Sequence, residues 1–324
     1  MPKSTVDVSV IIATYNRDET LRQTLVCLLN QDPAAREIIV VDQSQGHKEE
    51  TRRFLDQLID GKQITYIFQS EPNAQRARNR AIAEAHGEVL LFVDDDVVMD
   101  SQLVGAHWRN YEDPEIAAVG GFYLEPGEAP LDKLPDYCHR PDTGWVYLPH
   151  CYTRRVESYL LPTCNGSIRR SVAIRLGGFD ENYTHTLLDD TDFSCRLKTL
   201  GLKSVHDPEA RLIHLKETIG GKRPGGVNDY IIADSNKWYI WCYFFWMNFG
   251  WRCWRELLLR LRRTVFRRKN IARPWFLVLA LGHFLRGGWR AICAIRSGRK
   301  LAFTSVRSSG TAPAAQMEVP KPGI

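Results

Sequence analysis

LLFVDDDVVMD, residues 90–100, carries an apolar run into three consecutive aspartates and out again into valines. Adjacent carboxylates repel one another. Keeping all three ionised costs free energy unless a cation or hydrogen-bond donors face them. The stretch therefore raises two expectations: a buried strand through EVLLFV (88–93), and something positive opposite Asp94, Asp95 and Asp96.

Upstream, the same grammar repeats. VDVSVIIA (6–13) runs into Thr14-Tyr15-Asn16, REIIVV (36–41) runs into Asp42-Gln43-Ser44, and ITYIF (64–68) reads as a further strand. Between them the spacing predicts helices. One reaches about Asn30 with Leu21, Leu25, Leu28 and Leu29 on one face, capped by Asn16 or Asp18. Others cover about 48–59 and 75–86, the latter stopped by Gly87. Near-continuous Val/Ile/Leu strands alternating with helices predict an α/β fold with a mostly parallel, Rossmann-like sheet covered on both faces. In such a sheet the ligand crevice lies at the carboxyl ends of the strands, where three polar clusters arrive together.

Downstream, IAAVGGFYL (116–124) predicts another strand, and residues 125–160 read as a loop or lid. A second acidic cluster follows in LLDDTDFSCRLKTLG (187–201), a helix begun by Asp189 and Asp190 and stopped by Gly201.

The bulk numbers fit. The chain has 324 residues, 44% apolar and 25% charged, as in an ordinary globular protein. MPKSTVDVSVIIATYNR lacks a signal-peptide pattern, and eight cysteines without a CxxC pair suit reduced thiols in a cytosolic protein. The net charge of +5 hides an asymmetry: residues 231–324 carry 17 Lys and Arg against 3 Asp and Glu, and hold seven of the nine tryptophans.

Three chemistries could explain the aspartates. Hard divalent cations bind carboxylate oxygens and keep positions open for phosphates. A phosphatase of the haloacid-dehalogenase type would use Asp94 as nucleophile and Asp96 as acid/base, although three strand–helix units precede the motif here. A helix cap or Asx turn is the structural reading, and it accounts poorly for three in a row.

Taken in order, VSVIIATYNR, VVDQS, ARNRAIAEAHGEVLLFVDDDVV, NGSIRRSVAIRLGGFDE and DDTDFSCRLKTLG resemble a family-2 glycosyltransferase of GT-A fold, over about residues 6–215. The resemblance implies transfer of a sugar, with inversion, from a nucleotide-diphosphate donor to a saccharide or lipid-linked acceptor in polysaccharide or glycoconjugate synthesis, aided by Mn²⁺ or Mg²⁺. It puts Ala13, Thr14, Tyr15, Asp42, Gln43, Arg78, Asp94 and Asp95 on the donor. Asp96 becomes the direct metal ligand, with Asp94 and His214 beside it, and Asp190 the general base. A histidine ending a strand and an aspartate capping a helix stay open for the last two. The chain departs from the pattern in Gln43, where a second carboxylate is common. UDP is the first expectation for the donor, with dTDP and GDP open. It departs again in Asp189 for Glu, and in having no proline after the aspartates.

The C-terminal part reads separately. Its apolar blocks, 238–251 and 275–285, are shorter than the ~20 residues a membrane span needs. Between them RCWRELLLRLRRTVFRRK places Trp254, Leu257, Leu258, Leu261 and Val265 on one helical face. Arginine clusters interleaved with tryptophan can bind nucleic acid, which keeps a basic nucleic-acid-binding protein as an alternative. The two blocks are too apolar for that surface, so no nucleic acid is expected. Two readings stand: a basic amphipathic segment on anionic membrane, preferred, and a helical subdomain packed on the catalytic body. The expected organisation is a catalytic domain over 1–230, a helical extension over 231–303 and a disordered tail over 304–324, peripheral on the cytoplasmic face of the cell membrane.

Overall fold

Strand alternation sets the layers. In β1 (Thr5–Thr14), Val8, Val10 and Ile12 point to one core and Ile11 to the other. β2 (Ala34–Asp42) splits the same way, as does β4 (Val89–Val93), where Leu91 and Val93 join the first core and Leu90 and Phe92 the second. Helix α1 (Glu19–Leu29) buries Leu21, Leu25 and Leu28 in the first core, with α2 (Glu49–Asp60) beside it. Helix α3 (Ala74–Glu84) buries Ala77, Ala81 and Ile82 in the second. The computed structural model describes residues 4–134, 148–184, 187–217, 220, 234–266 and 274–303.

The nine described strands form one sheet, ordered β3-β2-β1-β4-β8-β6-β9-β5 with β7 on β9. β1, β2, β4 and β3 (Thr65–Phe68) pair in parallel, as the sequence predicts. The rest is mixed. β8 (Asn165–Arg169) enters antiparallel between β4 and β6 (Ile116–Leu124), and β9 (Lys203–His214) runs parallel to β6. Strand β8 went unread in the sequence, and so did two shorter ones: β5 (Val97–Met99), directly after the aspartates, and β7 (Val156–Glu157), inside the expected loop. Both pair antiparallel with β9.

Helix α4 (Leu103–Arg109) joins the first core, α5 (Arg170–Arg175) and α6 (Asp189–Thr199) the second. Asp18 sits at the start of α1 without capping it. Its carboxylate accepts from the Lys48 backbone N–H at 3.1 Å and faces His47.

Three helices follow: α7 (Ser235–Phe249), α8 (Cys253–Thr264) and α9 (Pro274–Ser297). Helix α7 buries Tyr239, Ile240, Tyr243, Phe244 and Phe245 in a cluster that includes Tyr183, Leu188 and Cys195 of the sheet-bearing part. So the first apolar block packs on protein, which corrects the preferred membrane reading for that block. No helix among the described residues is long and apolar enough to cross a membrane. The expected tail, 304–324, lies outside the described residues.

Candidate active site

Register brings the polar strand ends together. Ile12 pairs with Val93 and Thr14 with Asp42, so β1, β2 and β4 end side by side. The Thr14 hydroxyl donates to Asp95 Oδ2 at 2.6 Å. Across the same edge β5 pairs Val97 with His214, which sets the last residue of β9 beside Asp96. The three-residue strand is thus what turns DDD toward a histidine 118 positions away.

His214 Nε2 lies 3.1 Å from Asp96 Oδ1 and 3.7 Å from Asp94 Oδ2. One ligand atom from each of Asp94, Asp96 and His214 falls within 4.8 Å of the others. Two carboxylate oxygens and an imidazole nitrogen suit Mn²⁺ or Mg²⁺, and they leave positions for other ligands. These residues line a cavity of 360 Å³ together with Ala13, Tyr15, Arg17, Gln43, Arg78 and Asp190, among others.

Arg17 approaches Asp95 at 3.9 Å and Asp96 at 3.5 Å; Arg78 approaches Asp94 at 3.5 Å and Asp189 at 3.1 Å. Glu125 of the lining is paired with Lys216. Among the described lining residues that leaves five aspartates facing two guanidiniums, an excess of negative charge that a divalent cation would balance.

Burial does further work on the protons. It pushes the Asp95 carboxyl up to about 7, against the Thr14 hydrogen bond and Arg17. It also raises Asp190, to about 6, with the Asp189 charge adding to the effect and the Thr191 hydrogen bonds and Arg78 opposing it. Asp190 sits in the first turn of α6, where the helix dipole favours negative charge. Its Oδ1 accepts from the Thr191 N–H at 2.6 Å. The preceding Leu188 has φ 62°, a left-handed conformation that costs a branched side chain free energy and turns the chain sharply into the helix. Asp189 is no helix cap: its Oδ2 takes bonds from Gln75 at 2.8 Å and Arg78 at 3.1 Å.

Two expected donor residues do not line the cavity. Thr14 is wholly buried, its hydroxyl committed to Asp95. Asp42 is also buried and serves the scaffold, with Oδ2 2.6 Å from both His47 Nε2 and the Tyr66 hydroxyl and Oδ1 accepting from the Ser44 N–H. Those bonds outweigh burial and hold its carboxyl below the usual range. Gln43 does line the cavity, with its amide fixed. Its Nε2 donates to the Thr14 carbonyl at 3.2 Å, and its Oε1 accepts from the Asn73 N–H at 2.6 Å.

The sequence reading passed over Arg17, Gln75, Tyr123, Glu125 and Cys164. Arg17 had a signal, being the cation of TYNR at a strand end. The others sit where no local pattern marks them. The remaining motif residues act structurally. Asn79 of ARN bonds both ways to the Phe179 backbone, at 2.7 and 2.9 Å. A Cβ at Gly178, whose φ is +75°, would come 2.4 Å from Asn79 Oδ1.

Comparison with known proteins follows the same lines. A family model described as "Glycosyl transferase family 2" matches residues 9–175. The O-antigen biosynthesis protein RfbC of Myxococcus xanthus is 28% identical over 230 residues, 65% of this chain and 17% of that protein. The uncharacterized glycosyltransferase YfnE of Bacillus subtilis is 27% identical over 243 residues, 60% of this chain and 61% of that protein. The chain therefore spans less than two thirds of the length of these relatives. Among solved structures, the mannosyltransferase PcManGT from Pyrobaculum calidifontis, in complex with GDP-Man and Mn²⁺, aligns at TM-score 0.51 and 16% identity, covering 92% of this chain and 81% of that one. That likeness is one of fold, which is GT-A.

Proposed function

The chain belongs to glycosyl transferase family 2, and from that premise we propose a metal-dependent, inverting transfer of a sugar from a nucleotide-diphosphate donor to a hydroxyl of a saccharide or lipid-linked acceptor. The products belong to polysaccharide or glycoconjugate synthesis, and the enzyme works at the cytoplasmic face of the cell membrane. Family membership replaces the phosphatase and nucleic-acid readings. One observation carries the proposal: the Asp94, Asp96 and His214 ligand set shares a single cavity with Asp190 and Arg78.

Asp96, Asp94 and His214 would hold Mn²⁺ or Mg²⁺, which when bound neutralises charge on a leaving diphosphate. Arg78 and Arg17, both on the lining, add fixed positive charge for phosphate oxygens. Ala13, Tyr15 and Gln43 form the wall that receives the base. UDP is the first candidate, and because the locked Gln43 amide presents no carboxylate there, dTDP and GDP stay open. Asp190 takes the proton of the acceptor hydroxyl. A carboxyl raised to about 6 is still ionised at neutral pH, and it is a stronger base than an ordinary aspartate.

Thermal unfolding against UDP, GDP, dTDP and CDP, each with and without Mn²⁺, tests the reading. A ligand at 100 times its Kd stabilises the native state by about 2.7 kcal/mol. One nucleotide should raise the midpoint only with metal, and Asp96→Ala should remove the shift. A shift of equal size without metal, or in Asp96→Ala, would contradict it.

A further inference from the structure

Helix α9 is amphipathic the wrong way round for a water-facing helix. Its small residues Ala280, Gly287 and Ala291 face inward and are buried. A Cβ at Gly287 would meet the Ser235 carbonyl oxygen at 2.5 Å and Trp238 Cβ at 2.6 Å, so this face sits tight against α7. Its large apolar residues point outward. Trp275, Val278, Leu285 and Trp289 recur at helical spacing and are 66%, 72%, 67% and 65% exposed. Trp254 and Leu258 of α8 are each 60% exposed. A groove of 610 Å³ opens between the helices, and among the described residues of its lining Arg296 is the one that is charged. An apolar face of this extent marks a docking surface.

We propose that this face of α8 and α9 seats on an anionic phospholipid bilayer, lying along it with the indoles at headgroup depth. Charge identifies the occupant. Arg255, Arg262, Arg286, Arg290 and Arg296 are exposed on the same two helices, where the described acidic residue is Glu256. A second copy would bring arginines against arginines, whereas acidic headgroups complement them. Tryptophan belts belong to that interface. The 24 residues of α9, about 36 Å long, would lie flat, since no described helix can cross. The surface is also fixed to the reaction centre. Helix α7, which carries α9, bonds through the Tyr243 hydroxyl to Asp180 at 2.7 Å and through Asn248 to Asp192 at 2.8 Å, one half-turn beyond Asp190. The inference deepens the membrane placement given above and needs nothing from the donor site.

Flotation of the full chain with vesicles of phosphatidylcholine, alone or with phosphatidylglycerol as about a third of the lipid, tests it. The chain should float with the anionic vesicles, and its tryptophan emission should be quenched by lipids brominated on the acyl chains. Joint Trp275→Ser, Leu285→Ser and Trp289→Ser should cut partition by about tenfold or more, and Arg286→Glu with Arg290→Glu by several-fold. Circular dichroism verifies that the variants fold, and the quenching needs no variant. Wild-type chain that neither floats nor is quenched would overturn the proposal. So would a dimer in light scattering that the triple substitution dissociates while vesicle binding persists. Because no nucleotide is present, the outcome is independent of the donor reading.

Discussion

Two acidic clusters meet at one cavity and are held in opposite ways. Asp94, Asp95 and Asp96 follow a strand, with Arg17 from the turn after β1, Arg78 from α3 and His214 from β9 drawn in around them. Asp189, Asp190 and Asp192 start a helix and share no single partner. Asp189 is tied to Arg78 and Gln75. Asp192 is wholly buried between Arg196 and Arg299, with Asn248 and Tyr183 also bonded to it. Asp190 keeps its carboxylate on the cavity and, among the described residues, is hydrogen-bonded through it to Thr191. One cluster gathers positive charge around it, and the other leaves a single carboxylate on the cavity.

Substitutions can break that contrast. The largest effect is expected from Asp190→Asn. It should lower kcat by about 10²- to 10⁴-fold, the usual contribution of a general base, with nucleotide affinity unchanged in titration calorimetry. Equal loss of rate and affinity would place Asp190 with the first cluster. Next, Asp192→Ala should cost about 3–5 kcal/mol in urea unfolding, because it removes the carboxylate paired with buried Arg196 and leaves Arg299 with Asp180 as its remaining described carboxylate. Burial raises the Asp192 carboxyl, but the two arginines outweigh it and the net shift is downward. Its stabilisation is therefore present above the ordinary aspartate range and is lost as pH falls through the lowered folded value.

Asp190 has the opposite sign. Its folded value, about 6, lies above the ordinary aspartate value, so the stability it contributes is fully present below about pH 3.8 and is lost as pH rises through 6. Asp190→Asn should thus stabilise the chain at pH 8 by about 1–3 kcal/mol while disabling it. In the wild type, kcat/KM should climb through pH 6, and Asp189→Asn should move that limb to lower pH by removing a neighbouring charge. The smallest effect on binding is expected from Asp42→Asn. Nucleotide affinity should change less than about twofold, since Asp42 faces His47 and Tyr66, while thermal stability falls by about 1–3 kcal/mol.

The same contrast explains what was legible. The first four parallel strands and three helices could be read because each is a local pattern: an apolar run, a polar end, an amphipathic stretch. The acidic clusters were legible as runs of aspartate, and so was the arrival of the polar ends of β1, β2 and β4 at one sheet edge. Side-chain direction was not. Thr14 and Asp42 end strands just as Ala13 and Gln43 do, and only the tertiary partners Asp95, His47 and Tyr66 turn them away. β5 is three residues long and exists only because β9 pairs with it, so no period could reveal it. In the C-terminal part, composition gave apolar helices but not their neighbours. The sequence could not tell that Tyr239 and Phe244 meet Tyr183 and Leu188 while Trp275 and Trp289 face outward.

The central claim is that the strand cluster holds a cation and the helix cluster holds a base. Titration of Mn²⁺ into the chain with nucleotide present, followed by electron paramagnetic resonance of the free ion, tests it most directly. Asp96→Ala and His214→Ala should abolish tight Mn²⁺ binding, and Asp190→Asn should leave it at the wild-type level. Wild-type binding in Asp96→Ala, or its loss in Asp190→Asn, would contradict the division of labour between the two clusters.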